Sequence, residues 1–312
     1  MHIIDASKPT DLCTKSMVTV GNFDGIHRGH TALINHLIQH SRDSGASSLV
    51  VTFEPHTRKV LFPDQPILLL TTLTEKCILL EQAGVDICAV LPFSAEYVKM
   101  EPADFVEKIL IGNLKACGWV MGEDHAFGSG RHGDKNFLQN RLGKNHFSIL
   151  PSNLEQSDSV VVSSTEVRLA VAEHRILDAV RLLGHPYLIV ADRVSGIRKG
   201  TELGYPTFNF VMPGTTKVMP PDGIYAARLN YKNHELTGAL YIGSCPTFTG
   251  RENHLEFHAL EFDGTEIESG CEAQLYVYEY IRADKAFSSG SELSEQIQKD
   301  IHTIRTFFYT RS

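Results

Sequence analysis

The chain changes rhythm part-way along, and that change limits its fold more than any single motif does. Up to about Leu183, short apolar runs alternate with stretches of helical spacing. Beyond Leu183-Gly184-His185-Pro186, strand-like runs follow one another closely, with glycine and proline between them. The first part offers strands at Met17 to Val20, Leu49 to Phe53, Val85 to Leu91, Trp119 to Met121, Phe147 to Leu150 and Val160 to Val162. Helix starts lie between them: Thr72-x-x-Glu75 reads as a capping box ahead of Ile78, and Pro102 takes a first-turn position before Phe105, Val106 and Ile109. This alternation predicts an α/β domain with a parallel, doubly wound sheet. The second part offers strands at Tyr187 to Val194, Thr207 to Val211, Ile224 to Leu229, Glu235 to Ile242, Leu255 to Phe262 and Glu272 to Ile281. From Ser291 on, Leu293, Ile297, Ile301, Ile304 and Phe308 share one helical stripe, so a small antiparallel β-barrel closed by a C-terminal helix is predicted. The expected domains are residues 1–184 and 185–312.

A chain of 312 residues has room for two cores. Its formal charge of −8 argues against a nucleic-acid partner, which would demand a broad basic surface. No apolar stretch reaches the roughly 18 residues of a spanning helix, and Met1 to Cys13 lacks a basic segment followed by an apolar one. The expectation is a soluble cytoplasmic protein with no membrane partner, a monomer or weak homo-oligomer. The six cysteines never form a C-x-x-C pair and read as reduced, packed thiols.

The run Gly21-Asn22-Phe23-Asp24-Gly25-Ile26-His27-Arg28-Gly29-His30 follows the Met17 to Val20 strand and opens a stretch with Leu33, Ile34, Leu37 and Ile38 at helical spacing. Gly21 and Gly25 let the backbone approach a ligand, and His27 and His30 sit where a helix N-terminus favours phosphate. Such a site suits attack on an α-phosphate, with imidazoles stabilising charge as pyrophosphate leaves. The competing reading is a pair of surface histidines in a glycine-rich turn. Ser163-Ser164-Thr165-Glu166-Val167-Arg168 opens a second helix, where Ser164, Thr165 and Arg168 could grip phosphates, although Ser164 or Thr165 is also an ordinary N-cap. Gly128-Ser129-Gly130-Arg131-His132-Gly133 spells a dinucleotide fingerprint but lies too far beyond its strand; a mobile substrate-facing loop is the better expectation.

In the second part, Gly196, Gly200 and Gly204 suggest a flexible flap, and Pro206 fixes the chain before Thr207 and Asn209. Those two share a strand face and offer oxygens suited to Mg²⁺; alternatively they form a polar strand edge. Glu256 and His258 also share a face. Glu256 is the candidate base for deprotonating an alcohol, against the alternative of a solvated strand face.

The runs GNFDGIHRGH (21–30), VTFEPH (51–56), GEDHAFG (122–128) and SSTEVR (163–168) resemble the N-terminal domain of the bacterial bifunctional riboflavin kinase/FMN adenylyltransferase (FAD synthetase) family. The runs GYPTFNF (204–210), PPDGIYAARL (220–229), ALYIGSCPTF (239–248), LEFHALEF (255–262) and IRADKAF (281–287) resemble its riboflavin kinase domain. The resemblance implies an HxGH nucleotidyltransferase domain that transfers AMP from ATP to FMN. A following kinase barrel would transfer the γ-phosphate of ATP to the ribityl hydroxyl of riboflavin. It further implies that His27 and His30 contact ATP phosphates, that Asn22, Phe23 and Asp24 line the nucleotide and metal site, and that Ser164, Thr165 and Arg168 hold pyrophosphate. Asp124, His125 and Phe127 would meet the flavin of the transferase. In the kinase, Gly196, Gly200, Gly204, Pro206, Thr207 and Asn209 would bind ATP, with Thr207 and Asn209 on Mg²⁺ and Glu256 as base. His125 stands where the family has Phe, Thr201 where Arg is common, and Glu268-Ser269-Gly270 where Leu-Tyr-Gly is usual. Two other readings stay open at this level: an adenylyltransferase with a weak or silent barrel, and a non-catalytic flavin-responsive binding protein.

Overall fold

The computed structural model describes residues 1–122, 127–128, 132–142, 147–150, 162–195, 207–212, 216–232, 234–247, 250–261 and 267–310. They divide into two compact units, Met1–Leu68 with Lys76–Ser164, and Leu69–Glu75 with Thr165–Ser312.

In chain order the first part of the sequence forms β1 (His2–Asp5), β2 (Ser16–Val20), α1 (Arg28–Ser44), β3 (Ser47–Glu54), α2 (Thr57–Leu61), α3 (Leu73–Gln82), β4 (Ile87–Pro92), α4 (Ala95–Val98), α5 (Pro102–Asp104), β5 (Ala116–Gly122), α6 (Lys135–Leu142) and β6 (Phe147–Leu150). The six strands make one parallel sheet in the order β1-β4-β3-β2-β5-β6. Their apolar runs bury one continuous core that includes Val18, Val20, Leu49, Val51, Ile87 and Trp119. The order reverses at β2, whose neighbours are β3 and β5. The crevice beyond the carboxyl ends of β2 and β5 is therefore the switch point at which open α/β sheets bind ligands.

Several local expectations meet the structure directly. Thr72 and Glu75 form the reciprocal capping box, with Glu75 N donating to Thr72 Oγ1 at 3.2 Å and Thr72 N to Glu75 Oε2 at 2.8 Å. Pro102 opens α5, but the helix it starts continues over Phe105–Asn113 with π rather than α bonding. β1 has no counterpart in the sequence reading. Of the expected strand at Val160 to Val162, Val160 and Val161 lie outside the described residues and Val162 is not in a strand.

The second part forms α7 (Ser164–Ala172), α8 (Ile176–Leu183), β7 (Tyr187–Val194), β8 (Thr207–Val211), β9 (Gly223–Tyr231), β10 (His234–Thr247), β11 (Gly250–Ala259), β12 (Glu272–Arg282) and α9 (Gly290–Tyr309). The strands close an antiparallel barrel in the order β10-β11-β8-β7-β12-β9, with β9 pairing back to β10. Phe208, Phe210, Leu240, Leu255, Phe257, Leu275 and Val277 fill its core, which also takes Val167, Val171, Ile176, Ala179 and Leu183 from α7 and α8. The boundary by packing thus precedes the change of rhythm at Leu183, because those helices bury their apolar stripe with the barrel. The Leu69–Glu75 strap also belongs here. Leu69 pairs with Lys217, and Glu75 accepts from Val190 N at 2.9 Å and from Lys217 Nζ at 2.8 Å, the two side chains being fully buried. At the far end, α9 is capped by Ser289, whose Oγ accepts from Glu292 N at 3.2 Å.

Candidate active sites

In the first unit, the chain leaves β2 through a loop in which Phe23, Gly25 and Ile26 all have positive φ (48°, 81° and 41°). Two of these lack glycine's freedom, and both are buried, so the surroundings fix this backbone. His27 caps α1, its Nδ1 accepting from His30 N at 3.4 Å, which assigns the ring proton to Nε2. The His27 and His30 rings stack at 3.7 Å, and Phe23 meets His30 edge-on at 5.2 Å. Burial, then the neighbouring His27, then Lys76, hold His30 well below the usual histidine range, so it is neutral near pH 7. Its Nδ1 is buried and makes no hydrogen bond among the described residues. The site thus presents two stacked imidazoles, that of His30 neutral, at the positive end of a long helix.

The loop is braced from several sides. Asn22 Nδ2 donates to Thr57 Oγ1 at 2.9 Å, and its Oδ1 accepts from Thr57 N at 3.2 Å. Gly21 N donates to Val51 O at 3.0 Å. Ser164 Oγ donates to the Asp24 carbonyl at 3.0 Å, so this hydroxyl supports the loop from the start of α7. Thr165 and Arg168 belong to the second unit, Thr165 exposed and Arg168 half-buried. Phe127 lies in the core against Trp119 (4.7 Å) and Phe105 (5.7 Å), and its backbone exchanges hydrogen bonds with Gly133. A Cβ on Gly133 would come within 2.6 Å of the Phe127 ring, so only glycine fits there. Asp124 and His125, and most of the expected mobile loop, lie outside the described residues.

In the second unit the site is a matter of strand register. Glu256 on β11 stands opposite Asn209 on β8, and His258 opposite Thr207; on the other side Tyr241 of β10 stands opposite Glu256. Thr207, Glu256, His258 and Tyr241 line a cavity of about 350 Å³. Its other walls are Ile224, Arg282, Asp284 and Phe287, with Leu293, Ile297 and Ile301 of α9. Arg282 holds Asp300 of α9 in a forked pair, Nη2 to Oδ2 at 2.8 Å and Nε to Oδ1 at 3.0 Å, fixing that helix over the cavity. Tyr241 donates to Asp284 Oδ2 at 3.1 Å; burial first, then the Asp284 carboxylate, push its phenol up to about 12, and it stays a neutral donor. Gly196, Gly200, Gly204 and Pro206, with Thr201, lie outside the described residues.

Comparison with known families matches residues 10–166 to FAD synthetase and residues 183–308 to riboflavin kinase. The bifunctional riboflavin kinase/FMN adenylyltransferase of Escherichia coli K12 is 34% identical over 293 residues, covering 94% of this chain and 92% of its own. The chain belongs to this bifunctional family. The enzyme of the same name from Haemophilus influenzae is 31% identical, covering 93% of this chain and 94% of its own. A solved structure from Streptococcus pneumoniae, named a macrolide-efflux protein, is 26% identical with a TM-score of 0.82, covering 98% of this chain and 99% of its own. No helix among the described residues is long and apolar enough to cross a membrane.

Within the kinase barrel, sequence reasoning missed Tyr241, Arg282 and Asp284. Tyr241 sits in an apolar strand pattern that reads as packing alone, and its partner Asp284 is 43 residues away. In the synthetase domain it missed Lys76, a buried lysine whose Nζ donates to Thr52 Oγ1 at 2.9 Å.

Proposed function

We propose that the chain makes FMN and then FAD, with residues 1–184 performing adenylyl transfer and residues 185–312 phosphoryl transfer. The observation that carries the kinase half is the pairing of Glu256 with Asn209 and of His258 with Thr207 along β8 and β11, with Thr207, Glu256 and His258 lining one cavity. The apolar wall of Ile224, Phe287, Leu293, Ile297 and Ile301 suits a flavin ring, and the polar end at Thr207 and Glu256 suits the ribityl hydroxyl. There Glu256 takes the hydroxyl proton as its oxygen bonds to the γ-phosphorus of ATP and the bond to ADP breaks. The side-chain oxygens of Thr207 and Asn209 would hold Mg²⁺, which when bound would neutralise the triphosphate charge and leave Glu256 free as the base.

In the other half, an FMN phosphate oxygen attacks the α-phosphorus of ATP, and the bond to the bridging oxygen breaks, releasing pyrophosphate. That nucleophile is already anionic and requires no base. His27 and His30 donate to phosphate oxygens as charge develops, supported by their place at the α1 N-terminus. Ser164, Thr165 and Arg168 hold the leaving pyrophosphate. Gly21, Asn22, Phe23 and Asp24 line the nucleotide, and Asp124 and His125 the flavin; Phe127 acts there through the packing of its loop. The substrates are small molecules, and the cytoplasm is the expected compartment.

The direct test is to incubate the protein with riboflavin, ATP and Mg²⁺ and follow the flavins by chromatography. FMN rising and then giving way to FAD is expected. FMN accumulating alone would overturn the transferase assignment, and untouched riboflavin the kinase assignment.

A further inference from the structure

We propose that Lys76 is a positioning residue for adenylyl transfer, acting through Thr52 on the loop that receives the ATP phosphates; this rests on assigning that loop to adenylyl transfer. Lys76 is 3% exposed, yet among the described residues its ammonium makes a single hydrogen bond, to Thr52 Oγ1 at 2.9 Å. Thr52 is fully buried and donates in turn to the Asn22 carbonyl at 3.2 Å. An ammonium only donates and a hydroxyl carries one proton, so the relay has one sense: Lys76 to Thr52 to the Asn22 carbonyl. Asn22 then holds Thr57 through its side chain.

What makes this more than a buried cation is the segment it supports. The residues after Asn22 enter the left-handed region at Phe23, Gly25 and Ile26, a backbone that persists only where its surroundings impose it. Lys76 supplies one such constraint from α3, and Ser164 another from α7. An ammonium buried with one hydrogen bond also needs opposite charge nearby. Asp24, itself buried in the same loop, and Glu54 at the end of β3 provide it, opposing the effect of burial on the Lys76 ammonium. Lys76 is thus counter-charge to the loop's acid and anchor of its first carbonyl.

The test uses the full chain and measures FAD formation from FMN beside FMN formation from riboflavin in the same preparation. Lys76→Met is expected to lower kcat for adenylyl transfer roughly tenfold to a hundredfold, the order expected when a reacting group is displaced by about 1 Å. KM for ATP and riboflavin phosphorylation should stay close to wild type. Thr52→Val, which keeps the ammonium but cuts the relay, should lower kcat in the same direction by less. Lys76→Arg, which still donates, should recover part of the loss. Wild-type kcat in Lys76→Met, or a loss that falls on KM alone, would overturn the proposal. If Lys76→Met fails to fold, Thr52→Val decides, and an unchanged kcat there would also overturn it. Wild-type protein that forms no FAD would instead bring down the underlying assignment, and the role of Lys76 with it.

Discussion

The two candidate sites hold their proposed reactive groups by opposite means. In the synthetase domain the groups ride on a loop with three positive-φ residues and on the first turn of α1, so their positions depend on braces from β3, α2, α3 and α7. In the kinase barrel they ride on adjacent strands, and the register of β8, β10 and β11 alone sets which side chains face each other. An anion site can be made of backbone amides and a helix end, which favours a loop. A base that must reach one hydroxyl gains from the fixed pitch and alternation of a sheet.

The comparison breaks most sharply at the single carboxylate. Glu256→Gln should reduce FMN formation by about 10²- to 10⁴-fold while FAD formation from supplied FMN stays near wild type. Equal loss of both activities would dissolve the division of labour. Next in size, His30→Gln should lower adenylyl transfer about 10²- to 10³-fold, with riboflavin phosphorylation unaffected as the internal control. Tyr241→Phe removes only the 3.1 Å bond to Asp284, and a riboflavin KM raised a few-fold with nearly constant kcat would mark it as a wall of the cavity.

The smallest effect concerns acid stability. Folding holds His30 neutral well below the usual range, whereas the unfolded chain takes up that proton near pH 6.5. The unfolded state therefore binds more protons as pH falls below about 6.5, and stability drops with it. The fall in Tm between pH 7.5 and 5.5 should be shallower in His30→Gln than in wild type; equal slopes would mean that His30 is not held neutral.

The barrel was largely legible because its strand-like runs follow one another closely and glycine or proline marks their ends, as around Tyr187 to Val194 and Thr207 to Val211. The sheet strands were legible as apolar runs, but β1 is a four-residue edge with no such run. The His27–His30 pair could be read from its place after a strand. Glu75 could be read only in part: its spacing from Thr72 gives the capping box, but its bond to Lys217 spans 142 residues and leaves no local trace. Lys76, next in line, looks like any charged residue of a first helical turn, and only the tertiary packing reveals that it is buried.

The Leu69–Glu75 strap has a consequence for taking this enzyme apart. A fragment beginning at His185 would hold every barrel strand, yet it would lose the Glu75 carboxylate that answers the Lys217 ammonium. It would also lose the helical residues that line the same core. Removing one partner of a buried pair costs on the order of 3–5 kcal/mol, a large share of a small domain's stability. A barrel cut at His185 should therefore be less stable than one that keeps these elements, and low activity in it would measure the excision as well as the catalyst.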